Sequence, residues 1–254
     1  MPDRRPSVFL ARPGSRVIAH RGLAIDAPEN TLLAFLAALS NGATHLETDV
    51  HASLDAVAVI SHDADLARLG RDVRIDQLTV RELTRVDLGH GQGVPSLAEA
   101  LDAFPEALFN IDIKADSAVD PTVRAVLAAR ATPRVLITSF SESRRRRAVD
   151  LLPGVATSAS SAGVLKALVA ATFAPRSTLR HTLSGISAVQ VPPTSGVLRI
   201  VTPRFVRAVQ AVGVEVHVWT VNEVADMEHL LDLGVNGLVT DRADIASELI
   251  SRRT

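Results

Sequence analysis

The chain has 254 residues, 47% hydrophobic and 22% charged; this length suits one α/β barrel or two ordinary domains, and the composition excludes a disordered or fibrous chain. It contains no Cys, which excludes a disulfide scaffold, a thiolate zinc site and a cysteine nucleophile, so any metal must bind through oxygen or imidazole. With 27 basic against 28 acidic residues, no Tyr and one Trp, neither a net field nor stacking platforms point to nucleic acid, and no global field draws the chain to an anionic membrane.

Residues 1–15 carry Asp3, Arg4, Arg5 and Arg12 around a short apolar patch broken by Pro6, Ser7 and Pro13, too short for a secretory core. We expect a flexible leader there. No later stretch reaches about 18 uninterrupted apolar residues, so the expectation is a cytoplasmic protein without stable membrane insertion. From Arg16 onward, short β-rich runs alternate with Ala/Leu-rich segments of helical period. The runs are 17–19, 45–50, 108–113, 135–140, 155–159, 188–191, 214–221 and 237–240. That order predicts a single closed (β/α)8 TIM barrel domain over 16–254. An open doubly wound sheet is the competitor, but it would show a glycine-rich dinucleotide loop where the first run ends in His20-Arg21-Gly22. Asn30-Thr31 opens the first helix, Ser96 with Glu99 reads as a capping box, Ser141 as a cap, and Gly42, Gly213 and Gly234 sit where helices should stop. The segment from about 51 to 95 breaks the rhythm with a ninth run, 57–61, followed by polar turns. It reads as a small insertion after the second strand, at the rim where a barrel builds its active site.

The densest polar cluster lies at strand ends. Side chains two apart on a strand share a face, so Glu47 and Asp49 project together, as do Asn110, Asp112 and Lys114. Taken singly, a Glu-X-Asp is commonly a solvated strand end, a lone His a structural one, and a Lys near an Asp its ion-pair partner. Convergence changes the reading: three carboxylates in one space raise one another's pKa unless a cation is bound. All-oxygen ligation favours Mg²⁺ or Ca²⁺. His62, at the end of the inserted run, could face His20 across a phosphate as an acid/base pair.

The ordered set Val17 to Gly22, Pro28-Glu29-Asn30-Thr31, Glu47-Thr48-Asp49-Val50, Asp55, His62-Asp63, Asn110 to Lys114, Ser139-Phe140, Val218 to Asn222 and Gly237 to Asp241 resembles the glycerophosphodiester phosphodiesterase family, over about residues 16–250. The resemblance implies a (β/α)8 barrel with a small insertion and hydrolysis of small-molecule glycerophosphodiesters to glycerol 3-phosphate and an alcohol. It implies His20 and His62 as general acid and base, and Glu47, Asp49 and Asp112 as ligands of a divalent cation. Arg21 and Lys114 become phosphate contacts and Trp219 part of the glycerol pocket wall.

Two positions depart from the family pattern. Asp112 stands where the family usually has Glu, so it reaches an ion only through water or after a small backbone shift. Ala56 stands where Gly is usual, and a Cβ resists positive φ. Glu29, ahead of a helix, fits a first-turn carboxylate better than a catalytic acid. Arg144 to Arg147 span all faces of a helix and read as solvated. Three rivals stay open: an aldolase-type lyase using Lys114 as a Schiff base, a non-catalytic binding protein, and a phospholipase D acting on lysophospholipids. The last lacks support, because no large apolar access surface is signalled. Oligomeric state is not legible.

Overall fold

The computed structural model describes residues 7–11 and 14–253. Eight parallel strands form the barrel wall: β1 (Arg16–Ala19), β2 (His45–Ala52), β4 (Leu108–Ile113), β5 (Val135–Thr138), β6 (Ala156–Thr157), β7 (Ala188–Val191), β10 (Glu215–Val218) and β11 (Gly237–Thr240). Their order is β6-β5-β4-β2-β1-β11-β10-β7. Between the two ends of that path, Ser158 bridges Ala188 in parallel, Ala159 N donates to Ala188 O at 3.0 Å and Ser187 N to Thr157 O at 2.8 Å. The ring is nearly closed, as the alternating β/α pattern implied, and the open-sheet competitor is excluded.

The strands end sooner than the apolar runs suggested. β5 stops at Thr138 and β10 at Val218, because the chain leaves the ladder there to enter a loop; Ser139, Phe140 and Trp219 sit on those loops, above the barrel. The main helices α1 (Leu32–Ser40), α3 (Leu97–Ala103), α4 (Val119–Ala128), α5 (Glu142–Leu151), α6 (Ser161–Phe173), α7 (Arg176–Thr182), α8 (Pro203–Gln210), α9 (Val224–Asp232) and α10 (Ala243–Ser251) surround the wall. Local chemistry starts many of them. Thr31 rather than Asn30 caps α1, Ser141 caps α5, and Ser96 and Glu99 close a reciprocal capping box on α3, satisfying amides that the first turn leaves unbonded.

The insertion after β2 runs to α3. Its strand β3 (Ala58–Ile60) pairs antiparallel with β2, and a short helix α2 (Val80–Leu83) follows. Val59, Leu66, Ile75, Leu83, Val86 and Val94 give it a small apolar core of its own. Ala56 does adopt the left-handed conformation, at φ 56°; the turn is held by Ser53 N donating to Val57 O and by the Arg124 guanidinium on Ala56 O.

The lower end of the barrel is sealed. Arg16, buried, bonds Leu10 O at 2.8 Å and pairs with Glu215 at 2.8 Å, which also accepts from His217 at 2.9 Å. Phe9, fully buried among Leu108, Leu136, Ala156 and Ala188, packs edge-on against His45. The described part of the expected leader is therefore packed against the barrel, while residues 1–6 and 12–13 lie outside the described residues. Sealing one end directs function to the other, where the strand C-termini open.

Candidate active site

β1 delivers His20 and Arg21 to the open end. Arg21 has φ 55° and Gly22 φ 87°; a Cβ on Gly22 would lie 2.7 Å from the Ala34 backbone and side chain. Only glycine lets the loop press against α1 here. The turn is fixed further by Asn30 N donating to Arg21 O at 2.8 Å and Arg21 N to Glu47 Oε2 at 3.1 Å.

β2 and β4 are neighbours, with Glu47 opposite Asn110 and Asp49 opposite Asp112. The period-two reading of both strands thus lands the polar side chains together. Glu47, Asp49 and Asp112 are all buried. Burial, then the Asp49 charge, pushes the Glu47 carboxyl up to about 8, and burial likewise raises Asp112. The positive charge near them comes from the protein. Lys114 Nζ lies 2.7 Å from both Asp49 Oδ1 and Asp112 Oδ2, and burial, which opposes its charge, is outweighed by those two carboxylates. Arg21 Nε lies 3.2 Å from Asp49, and its Nη1 lies 3.1 Å from Glu29. The two residues expected to contact phosphate are here engaged with carboxylates. Glu29 lies ahead of the Thr31 cap and grips Arg21 and Arg68, so it positions a guanidinium rather than serving the first turn of α1. Buried Asp112 Oδ1 and Asn110 Oδ1 have no hydrogen-bond partner among the described residues.

The two histidines are built alike. His20 Nδ1 donates to Asp241 Oδ1 at 2.7 Å, and His62 Nδ1 donates to Asp63 Oδ1 at 2.7 Å. Each aspartate fixes a tautomer and leaves Nε2 as the atom for chemistry. Burial opposes charging His20, but the Asp241 hydrogen bond and the Glu47 charge prevail and its pKa is raised. Asp241 is held low chiefly by the same bond and is itself anchored by Asn222, whose Nδ2 donates to its other oxygen at 2.7 Å. His62 is placed by the insertion: Ser61 N donates to Asp49 O at 3.0 Å, and His51 Nε2 donates to His62 O at 3.2 Å. Sequence reasoning gave His51, Asn222 and Asp241 no role. The signal for Asp241 was its place at the end of the last strand, beside the first.

Both imidazoles, the carboxylates, Arg21, Lys114 and Trp219 line one cavity of about 870 Å³. Trp219 meets Phe140 edge-on at 6.1 Å, and Lys114 lies 5.9 Å from the Phe140 ring centroid. All eight expected site residues therefore share one space. Two readings need correction. The Arg144–147 run is only half solvated: Arg144 bonds Ile113 O and Asp116 at the end of β4, and Arg145 is buried against Glu142 and Thr157, because one helical turn necessarily points two of the four inward. The cavity also does have an apolar access surface, on α6 and on a hairpin of β8 (Thr194–Ser195) and β9 (Leu198–Arg199).

Comparison with known proteins agrees with this fold. The model of the Glycerophosphoryl diester phosphodiesterase family matches residues 20–245. The chain is 42% identical over 252 residues to the "Probable glycerophosphodiester phosphodiesterase 2" of Mycobacterium tuberculosis, covering 98% of this chain and 96% of that relative. Among solved structures, the Oleispira antarctica phosphodiesterase in complex with the product sn-glycerol-3-phosphate superposes with a TM-score of 0.77 at 23% identity, covering 94% of this chain and 97% of that one. The glycerophosphodiester phosphodiesterase of Agrobacterium tumefaciens superposes with a TM-score of 0.76 at 22% identity, covering 92% and 99%. With a nearly closed barrel, two aspartate-bound histidines over a buried carboxylate cluster, and a family match spanning almost its whole length, the chain belongs to the glycerophosphodiester phosphodiesterase family.

Proposed function

We propose that the protein hydrolyses glycerophosphodiesters to glycerol 3-phosphate and an alcohol, with His20 and His62 as the acid/base pair. The observation that carries this reading is the pair of imidazoles, each oriented through Nδ1 by its own aspartate and both lining the cavity that holds the carboxylates. The family match and the names of its relatives support the substrate class. A phosphodiester anion repels nucleophiles, so catalysis must favour the more negative transition state. His20, with its raised pKa, holds a proton on Nε2 for the departing alkoxide. His62 takes the proton of the attacking oxygen, whether of water or of the neighbouring glycerol hydroxyl; in the second case a cyclic phosphate forms and water then opens it by the same pair. Trp219 and Phe140 offer an apolar wall to the glycerol carbons.

Glu47, Asp49 and Asp112 would hold a divalent cation. The donor set is all oxygen, as Mg²⁺ or Ca²⁺ prefers. The unpartnered Asp112 and Asn110 oxygens and the elevated Glu47 mark a deficit of positive charge there. Among the described residues no group of three His, Asp or Glu is gathered tightly enough to hold an ion as it stands, since Lys114 sits between Asp49 and Asp112. A cation held there would compete with the Lys114 ammonium for the same carboxylates, and would leave Lys114 free to contact the phosphate. When bound, the ion supplies charge neutralisation at the phosphate oxygens.

The test is glycerol 3-phosphate release from glycerophosphocholine and glycerophosphoethanolamine by protein stripped with EDTA and then given Mg²⁺ or Ca²⁺. Release that returns with metal supports the reading; no release from any glycerophosphodiester under any metal removes it.

A further inference from the structure

The near-zero net charge of the whole chain hides a strong segregation. Between Asp150 and Glu215 the sequence has no Asp or Glu, yet it carries Lys166, Arg176, Arg180, Arg199, Arg204 and Arg207. All six are exposed. Elsewhere on the surface cations are commonly neutralised by neighbours, as Arg146 and Arg147 are by Glu142 and Asp120, and Arg252 by Glu248; among the described residues none of these six forms an ion pair. The segment folds as one face, since α6 packs against both α7 and α8, and Arg204 of α8 bonds the Thr172 carbonyl of α6.

The same face is apolar where it meets the cavity. On α6, Leu165, Val169 and Phe173 recur every fourth residue and form a stripe; Leu165 is 63% and Phe173 85% exposed. The β8–β9 hairpin adds Val197 and Leu198, both exposed. Large side chains at this spacing normally turn into a core, but here Ala167 and Ala170 fill that position and the large ones face outward. Exposed apolar side chains beside the cavity, on a segment whose exposed cations have no acidic neighbour, are the combination that binds an anionic lipid interface: the apolar side chains enter the acyl boundary and the cations meet the headgroups. A second copy of the chain would bring the same positive charge against itself.

We propose that the face made by α6, α7 and the β8–β9 hairpin docks on an anionic lipid surface, setting the mouth of the catalytic cavity at the headgroup layer. The docking rests on charge and exposure and does not depend on which phosphodiester is cleaved. The full-length protein is sedimented with vesicles of phosphatidylcholine alone and of an equimolar phosphatidylcholine–phosphatidylglycerol mixture. It should pellet with the mixed vesicles, much less with the neutral ones, and release as salt rises. Phe173→Ser with Val197→Ser should weaken binding roughly tenfold or more, and Lys166→Gln with Arg180→Gln roughly twentyfold. All four positions are exposed, and a thermal melt checks that each variant is folded. Failure to bind the mixed vesicles, or binding unchanged in both variants, overturns the proposal. So does a dimer in sedimentation velocity that Phe173→Ser with Val197→Ser abolishes.

Discussion

Glu47→Gln should make the metal-free protein more stable at alkaline pH while removing its response to metal. In the native state the Glu47 carboxyl is raised from 4.5 to about 8, by burial and then by Asp49. Below the ordinary value both folded and unfolded chains hold the proton, and nothing is lost. As pH rises past it, the unfolded chain releases a proton that the folded chain keeps until about 8, so stability falls across that interval and levels off above it. At about 1.4 kcal/mol per tenfold difference in proton affinity, the ceiling is roughly 5 kcal/mol, and rearrangement of Lys114 and His20 should bring it nearer 2–3 kcal/mol, by analogy with the relaxation seen at buried charges. Glutamine keeps the shape and cannot ionise. Urea unfolding with EDTA present, at pH 5 and at pH 9, should show the variant and wild type close together at the lower pH and separated by about 2–3 kcal/mol at the higher, the variant being more stable. Adding Mg²⁺ or Ca²⁺ should then stabilise wild type and leave the variant unmoved. A stability difference independent of pH would refute the claim that Glu47 is held protonated for want of positive charge.

Asp241→Asn replaces the charged acceptor that keeps the His20 pKa raised against burial with a neutral one; the His20 pKa should fall, so the alkaline limb of the pH–rate profile should move to lower pH, an effect that mere structural loosening would not give. Gly22→Ala places a Cβ 2.7 Å from Ala34 backbone at φ 87°, and should cost about 3 kcal/mol in urea unfolding along with activity. Ala56→Gly relieves a left-handed alanine at φ 56° and should stabilise the protein by about 1 kcal/mol, raising Tm by roughly 2–4 °C with activity intact.

The barrel and the carboxylate cluster were legible in the sequence because both follow from short-range periodicity. Period two fixes which of Glu47, Thr48 and Asp49 share a face, and α/β alternation makes β2 and β4 neighbours, so convergence of the carboxylates was legible, while the register that sets Asp49 opposite Asp112 is seen only in the structure. Relations that depend on ring closure were not legible. His20 and Asp241 are 221 positions apart and meet only because β11 returns beside β1. The expected phosphate contacts were assigned by resemblance alone; pairing of Lys114 with Asp112 was the default reading of a Lys near an Asp, whereas the contacts of Lys114 and Arg21 with Asp49 emerge only from the three-dimensional arrangement. Composition failed where it was averaged. A net charge of -1 conceals an acid-free cationic stretch, and an Ala/Leu-rich helix such as α6 does not announce which of its apolar faces the core leaves uncovered.

The most direct test of the account is the rate of glycerol 3-phosphate release from glycerophosphocholine, with Mg²⁺ or Ca²⁺ supplied, by wild type, His20→Ala and His62→Ala, each confirmed folded. Paired acid and base catalysis predicts measurable turnover by wild type and a loss of roughly 10²–10⁴-fold in each variant. Either variant matching the wild-type rate would contradict the assignment of that histidine and with it the mechanism.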